Sequence, residues 1–153
     1  MRFIACLLLS AFLSSCGPTQ GYVVSVIDGD TYVVKMTNGA LEHVRVVGID
    51  TPETVDPNRP VGCFGPEASA EAKELLTGKD VTLVKKPDED RDKYHRLLRY
   101  VMLGKQDVGA FLISEGYARS YTWFPHPRID QYNALQAQAK AEGKGLWSAC
   151  GNR

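Results

Sequence analysis

The chain has 153 residues, 44% hydrophobic and 24% charged, which suits one globular domain with a real core and excludes a disordered or fibrous class. Eighteen Lys and Arg offset eighteen Asp and Glu, a balance that argues against a protein that coats nucleic acid through bulk charge. Any phosphate binding has to be local.

The leader comes first. Residues 1–15, MRFIACLLLSAFLSS, place one basic residue, Arg2, before an apolar stretch over 3–13 that is too short to span a bilayer as a stable helix. This reads as a secretory signal. Its end, Leu13-Ser14-Ser15-Cys16-Gly17, resembles the bacterial lipobox, in which the signal is cut before a cysteine that becomes diacylated. The other reading is cleavage by an ordinary signal peptidase with Cys16 left free. On the first reading residues 16–21 are a lipidated tether, 22–150 the folded domain and 151–153 a tail. The expected location is the bacterial envelope, anchored to a membrane through lipid on Cys16 and facing the extracytoplasmic side. Cys6 leaves with the leader, so Cys63 and Cys150 remain in a chain bound for an oxidising space, and a disulfide between them is expected. No CxxC occurs, and His43, His95 and His126 lack ligand spacing, so a zinc-type centre finds no support.

Within the domain, residues 22–27, 31–37 and 41–49 are short β-rich runs, and Asn38-Gly39 between the second and third is a hairpin signal. The first half is a meander. Residues 54–63, with Pro57, Pro60 and Gly62, have no periodicity and read as a surface loop. A first helix fits 66–76, opened by Pro66 and Glu67 and closed by Gly78. Strands over 81–85 and 97–103 flank the charged run 88–93, and two more helices fit 108–115 and 129–142, each followed by glycine. Five strands with no βαβ repeat suggest a small closed barrel carrying three helices outside, an α+β arrangement.

Two acidic turns carry the chemical signal. VIDGDT puts Asp28 and Asp30 between the first two strands, and RVVGIDTPE puts Asp50 and Glu53 after the third. In a meander the end of the third strand can lie beside the start of the second, so that four carboxylates share one mouth. Crowded carboxylates need a compensating cation. Hard oxygens, including a backbone carbonyl, suit Ca²⁺ or, less well, Mg²⁺. Alternation puts Arg45, Val47 and Ile49 on one strand face, an odd neighbourhood for a charge unless that face opens at the barrel end. Arg96 opens a later strand, and two guanidinium forks opposite a metal make a phosphodiester site. Taken singly, each of these residues also has a structural reading as a turn former or a surface ion pair.

These motifs, together with FGPEAS at 64–69, DKYHR at 92–96 and the ending KGLWSAC, resemble the staphylococcal nuclease (thermonuclease) family over about 22–147. The resemblance implies a five-stranded OB-fold barrel with three helices and a Ca²⁺-dependent phosphodiesterase that cuts DNA and RNA to 3′-phosphate ends. It implies Asp30, Asp50 and the carbonyl of Thr51 as calcium ligands, Glu53 as the residue that orients the attacking water, and Arg45 and Arg96 as the clamp on the scissile phosphate. Tyr94 is implied as a substrate-contacting tyrosine, and Tyr121 with Trp123 falls in the stretch that supplies a stacking aromatic, a plain core role for one of the two being the other reading. His95 stands where that family usually has glycine and reads as an exposed loop histidine. A monomer is expected. The competing reading is a non-catalytic OB-fold module that binds nucleic acid or a protein. Such a degenerate module is expected to have lost one or more of Asp30, Arg45, Asp50, Glu53 and Arg96, and all five stand.

Overall fold

The computed structural model describes residues 17–151. The leader and Cys16 lie outside the described residues. Eight strands, β1 (Thr19–Asp28), β2 (Thr31–Met36), β3 (Leu41–Val46), β4 (Ile49–Asp50), β5 (Asp80–Lys85), β6 (Leu97–Leu103), β7 (Gln106–Asp107) and β8 (Arg119–Ser120), are joined by four helices. The helices are α1 (Gly65–Leu76), α2 (Val108–Ser114), α3 (Ile129–Ala141) and α4 (Leu146–Ala149).

The main sheet runs β3-β2-β1-β5-β6-β7, and parallel pairing of β3 with β6 closes its five long strands into a barrel, the OB-fold class. Closure requires curvature. Register shifts in β1, between Val23 and Ser25 and again between Val26 and Asp28, supply the extra residues that bend it. Asn38-Gly39 turns β2 into β3 as expected, with Gly39 at φ 85. Inside the barrel Val23, Tyr32, Val34, Val44, Leu83 and Val101 are fully buried. Each such aliphatic side chain contributes roughly 1.5–3 kcal/mol. Outside, Ala68, Ala72 and Leu76 form the buried stripe of α1, which packs on β1. Asp107 caps α2 by accepting from the Ala110 N–H at 3.1 Å.

Two expectations change. The third strand does not run to 49: it stops at Val46, Gly48 turns the chain at φ 77, and Ile49 and Asp50 pair instead with Ser120 and Arg119. A Cβ at position 48 would come within 2.4 Å of the His126 ring, so only glycine fits between turn and ring. Arg45, Val47 and Ile49 therefore do not share one strand face. α4, β4, β7 and β8, all four residues or shorter, were not legible in the sequence.

His95 is exposed and sits at φ 64, a left-handed conformation that costs a residue with a Cβ about 1–2 kcal/mol. His95→Gly removes that strain and adds freedom to the unfolded chain, which offsets part of the gain. A net stabilisation of about 0.5 kcal/mol is expected, read as a higher urea midpoint at unchanged slope. An unchanged or lower midpoint would mean that the imidazole makes a stabilising contact.

Candidate active site

The pairing of β2 with β3 sets Thr31 opposite Arg45, and the Val46 N–H donates to the Asp30 carbonyl at 2.9 Å. The start of β2 thus lies beside the end of β3, and the two acidic turns meet. A cavity of about 720 Å³ opens there, and Asp28, Asp30, Asp50, Thr51 and Glu53 all reach its wall beside Arg45 and Arg96.

Asp30 is buried and fully engaged. Its Oδ1 accepts from the Thr31 hydroxyl, and its Oδ2 accepts from the Thr51 N–H and hydroxyl, each at 3.0 Å. Arg45 Nη2 stands 3.2 Å from that oxygen and 3.7 Å from Asp50 Oδ1, while its Nη1 donates to the carbonyls of Val46 and Ile49. The turn at Gly48 creates this cradle, because it folds the Ile49 carbonyl back toward the guanidinium.

Asp50 is half exposed, and burial together with the Asp30 charge pushes its carboxyl above the usual range. Burial and Asp30 likewise push Asp28 up to about 6. Arg45 alone stands within ion-pair distance of Asp30 and Asp50 among the described residues. Among the described residues no three His, Cys, Asp or Glu side chains group tightly enough to hold a metal alone. Two carboxylates and the Thr51 carbonyl form a smaller donor set, all of it hard oxygen. Carboxylates crowded on one part-buried wall, with only hard oxygen beside them, fit a hard divalent cation completed by water.

Glu53 opens the loop 54–63. Its Oε1 accepts from the N–H groups of Thr54, Val55 and Asp56 at 2.9, 2.8 and 3.1 Å, which fixes the carboxylate; Oε2 stands 3.9 Å from Arg59, and both residues line the cavity. The far end of the loop is pinned twice: the Gly62 N–H donates to the Glu53 carbonyl at 2.7 Å, and Cys63 forms the expected disulfide with Cys150. Arg96 is held by Asp92, which accepts from its Nε at 2.7 Å and from its backbone N–H at 3.0 Å. Its Nη1 lies 3.3 Å from the Thr31 hydroxyl, and the rest of the fork faces the cavity.

A second cavity of about 450 Å³ adjoins the first and shares Arg45, Asp50, Tyr94 and Arg96 with it. Tyr94 is 66% exposed between the two, with Lys93 Nζ and the Arg96 guanidinium 5.0 and 5.3 Å from its ring centre. Tyr121 lines the second cavity; Trp123, 83% exposed, lines neither. The ring that joins Tyr121 is Phe124, at 6.1 Å between centres. The run YTWFP offered several aromatics and no periodicity to choose among them. Lys85, Lys86, Arg91 and Arg99 are taken up in ion pairs with Asp90, Glu89, Glu42 and Asp90, and of these four only Lys86 lines the smaller cavity. Arg59 and Arg119, which also line the larger cavity, carried no sequence signal beyond their charge.

Comparison with known proteins converges on one family. The model of the family described as staphylococcal nuclease homologue matches residues 43–149. The chain is 39% identical over 140 residues to a thermonuclease of Staphylococcus hyicus, covering 91% of this chain and 82% of that protein. It is 43% identical over 130 residues to a thermonuclease of Staphylococcus intermedius, covering 83% and 74%. A third relative, the endonuclease YncB of Bacillus subtilis (strain 168), is 39% identical over 127 residues, which cover 82% of this chain and 60% of that protein.

Proposed function

Because the chain belongs to the staphylococcal nuclease homologue family, we propose that it is a Ca²⁺-dependent endonuclease that hydrolyses DNA and RNA to 3′-phosphate products. We place it as a monomer in the bacterial envelope, held to a membrane by lipid on Cys16 once residues 1–15 are removed. The observation that carries the catalytic reading is the convergence of Asp30, Arg45, Asp50, Glu53 and Arg96 on one cavity.

Asp30, Asp50 and the Thr51 carbonyl would hold the cation, which supplies charge neutralisation at the scissile phosphate. The chain's own residues do the rest. Arg96, its fork set by Asp92, holds phosphate oxygens on one side. Arg45 presents Nη2 on the other, with Nη1 committed to two carbonyls. Glu53, fixed through Oε1, orients the attacking water with Oε2. Water adds to phosphorus as the bond to the 5′ oxygen breaks, and the proton surrendered by water is balanced by one taken up at that oxygen. Tyr94, Tyr121 and Phe124 border a cavity of the size and character for a stacked base, worth roughly 1–3 kcal/mol per base.

Cleavage of single-stranded DNA by the purified protein, with Ca²⁺ and then with excess chelator, tests the reading. Calcium-dependent cutting is expected, and Glu53→Ser should lose roughly 10²-fold or more in turnover with calcium binding retained. Full turnover in that variant removes Glu53 from the mechanism. A calcium-loaded protein that binds strands and never cuts them would establish the binding module instead.

A further inference from the structure

Four guanidiniums line the larger cavity, and three of them face carboxylates. Arg45 faces Asp30 and Asp50, Arg96 is paired with Asp92, and Arg59 stands 3.9 Å from Glu53. Arg119 differs. Among the described residues it has no ion pair within 4.0 Å and no side-chain hydrogen bond. Among the described residues its guanidinium lies against the Trp147 ring, whose centre is 5.4 Å from the guanidinium carbon.

That isolation is built in. Arg119 forms half of β8, directly opposite Asp50 of β4 in the antiparallel ladder, so the two side chains share one face, which borders the cavity. β8 is tied on the other side by α3, where Gln136 accepts from the Ser120 N–H at 2.9 Å and Asn133 accepts from the Ser120 hydroxyl at 2.8 Å. Beyond β8, the Tyr121 N–H donates to the Gly48 carbonyl at 2.9 Å. Backbone and ring together set a fork of five donors at the cavity edge with its donors unspent.

Position decides what those donors meet. Arg45, Asp50, Tyr94 and Arg96 border both cavities, so the scissile phosphate belongs at their junction, with a stacked base in the smaller one beside Tyr121 and Phe124. Arg119 borders only the larger cavity. A strand that leaves a base in the smaller cavity runs on through the larger one, past Asp50 to Arg119. Asp28, Asp30, Asp50, Glu53 and Asp56 line that path, and a polyanion crosses it only where free positive charge receives it. The unpaired guanidinium is that charge, and its planar fork matches the two free oxygens of a phosphodiester.

We infer that Arg119 binds the phosphate next to the scissile one, on the side remote from the stacked base. This inference rests on the nuclease reading for its substrate class. A purely structural Arg119 would only stack on Trp147 and balance Asp50.

The test is binding of a short fluorescein-labelled single-stranded DNA at saturating Ca²⁺, followed by anisotropy across a salt series. The full-length protein is used, with Glu53→Ser throughout to slow cutting. Arg119→Gln should weaken binding about tenfold and flatten the slope of log K against log salt by about 0.7, the loss of one phosphate contact to a single strand. Arg119→Lys should restore the slope. Calcium titration of Arg119→Gln should give equal or tighter binding, since a positive charge beside Asp50 has been removed, so weaker strand binding cannot come from a lost cation. An unchanged salt slope, or a change matched by weaker calcium binding, overturns the inference, as does failure of the parent protein to bind the strand at all. Binding without cutting in the protein that retains Glu53 would overturn the nuclease reading, while the slope difference would still decide Arg119.

Discussion

Arg96→Ala is expected to lower turnover about 10²–10³-fold at saturating substrate and calcium, the loss seen when one preorganised donor to a developing oxyanion is removed. The size follows from how little the side chain has left to do. Asp92 fixes it at Nε and at the backbone, Thr31 steadies Nη1, and Tyr94 lies against the guanidinium, so the fork stands in place before substrate arrives. Water in the space left by alanine would have to reorganise as charge builds. Arg96→Lys should rescue poorly, because an ammonium offers a point charge where two parallel donors are needed. Single-turnover cleavage with each variant checks this. A tenfold or smaller loss in Arg96→Ala would shift the burden of phosphate binding to Arg45 and Arg59.

Replacing Cys63 and Cys150 together by serine should lower unfolding free energy by about 4–5 kcal/mol in the chain-entropy account, because the bond joins residues 87 apart in sequence. A small domain has roughly 5–15 kcal/mol in total, so much of the margin would go. Urea unfolding of the oxidised protein and of the double variant gives the difference. A loss under 1 kcal/mol would mean that the unfolded chain is already compact around this pair. Turnover should fall as well, because Cys63 follows Gly62, whose N–H holds the Glu53 carbonyl, and the cystine borders the catalytic cavity.

The disulfide was legible by counting cysteines, and the meeting of the acidic turns by noticing that Asn38-Gly39 forces β2 and β3 into a hairpin. The first needs only a count of thiols and the second only a local turn. What stayed hidden depends on partners far along the chain. The turn at Gly48 is packed against His126, some eighty residues on, and the valines before it do not tell a strand's end from its continuation. Arg119 reaches the cavity only because two residues of β8 pair with two of β4, a contact too short to leave a periodic pattern. The sequence offers Trp123 as a stacking ring by position, and only the path of its loop leaves it outside both cavities with Phe124 on the wall of the smaller one.

β1 carries one more consequence. It begins at Thr19, three residues after Cys16, and ends at Asp28 beside the catalytic carboxylates. Ten residues at about 3.3 Å each separate its ends by up to about 30 Å. With Cys16 lipidated as proposed and β1 standing off the bilayer, one end would rest at the membrane and the other would hold the mouth of the enzyme away from it. That spacing exceeds the Debye length of about 8 Å at physiological ionic strength several times over. Over that distance the field of anionic headgroups on the protein's own side would be screened before it reached the site. A polyanionic strand could then approach the tethered protein without meeting the repulsion that guards the membrane itself.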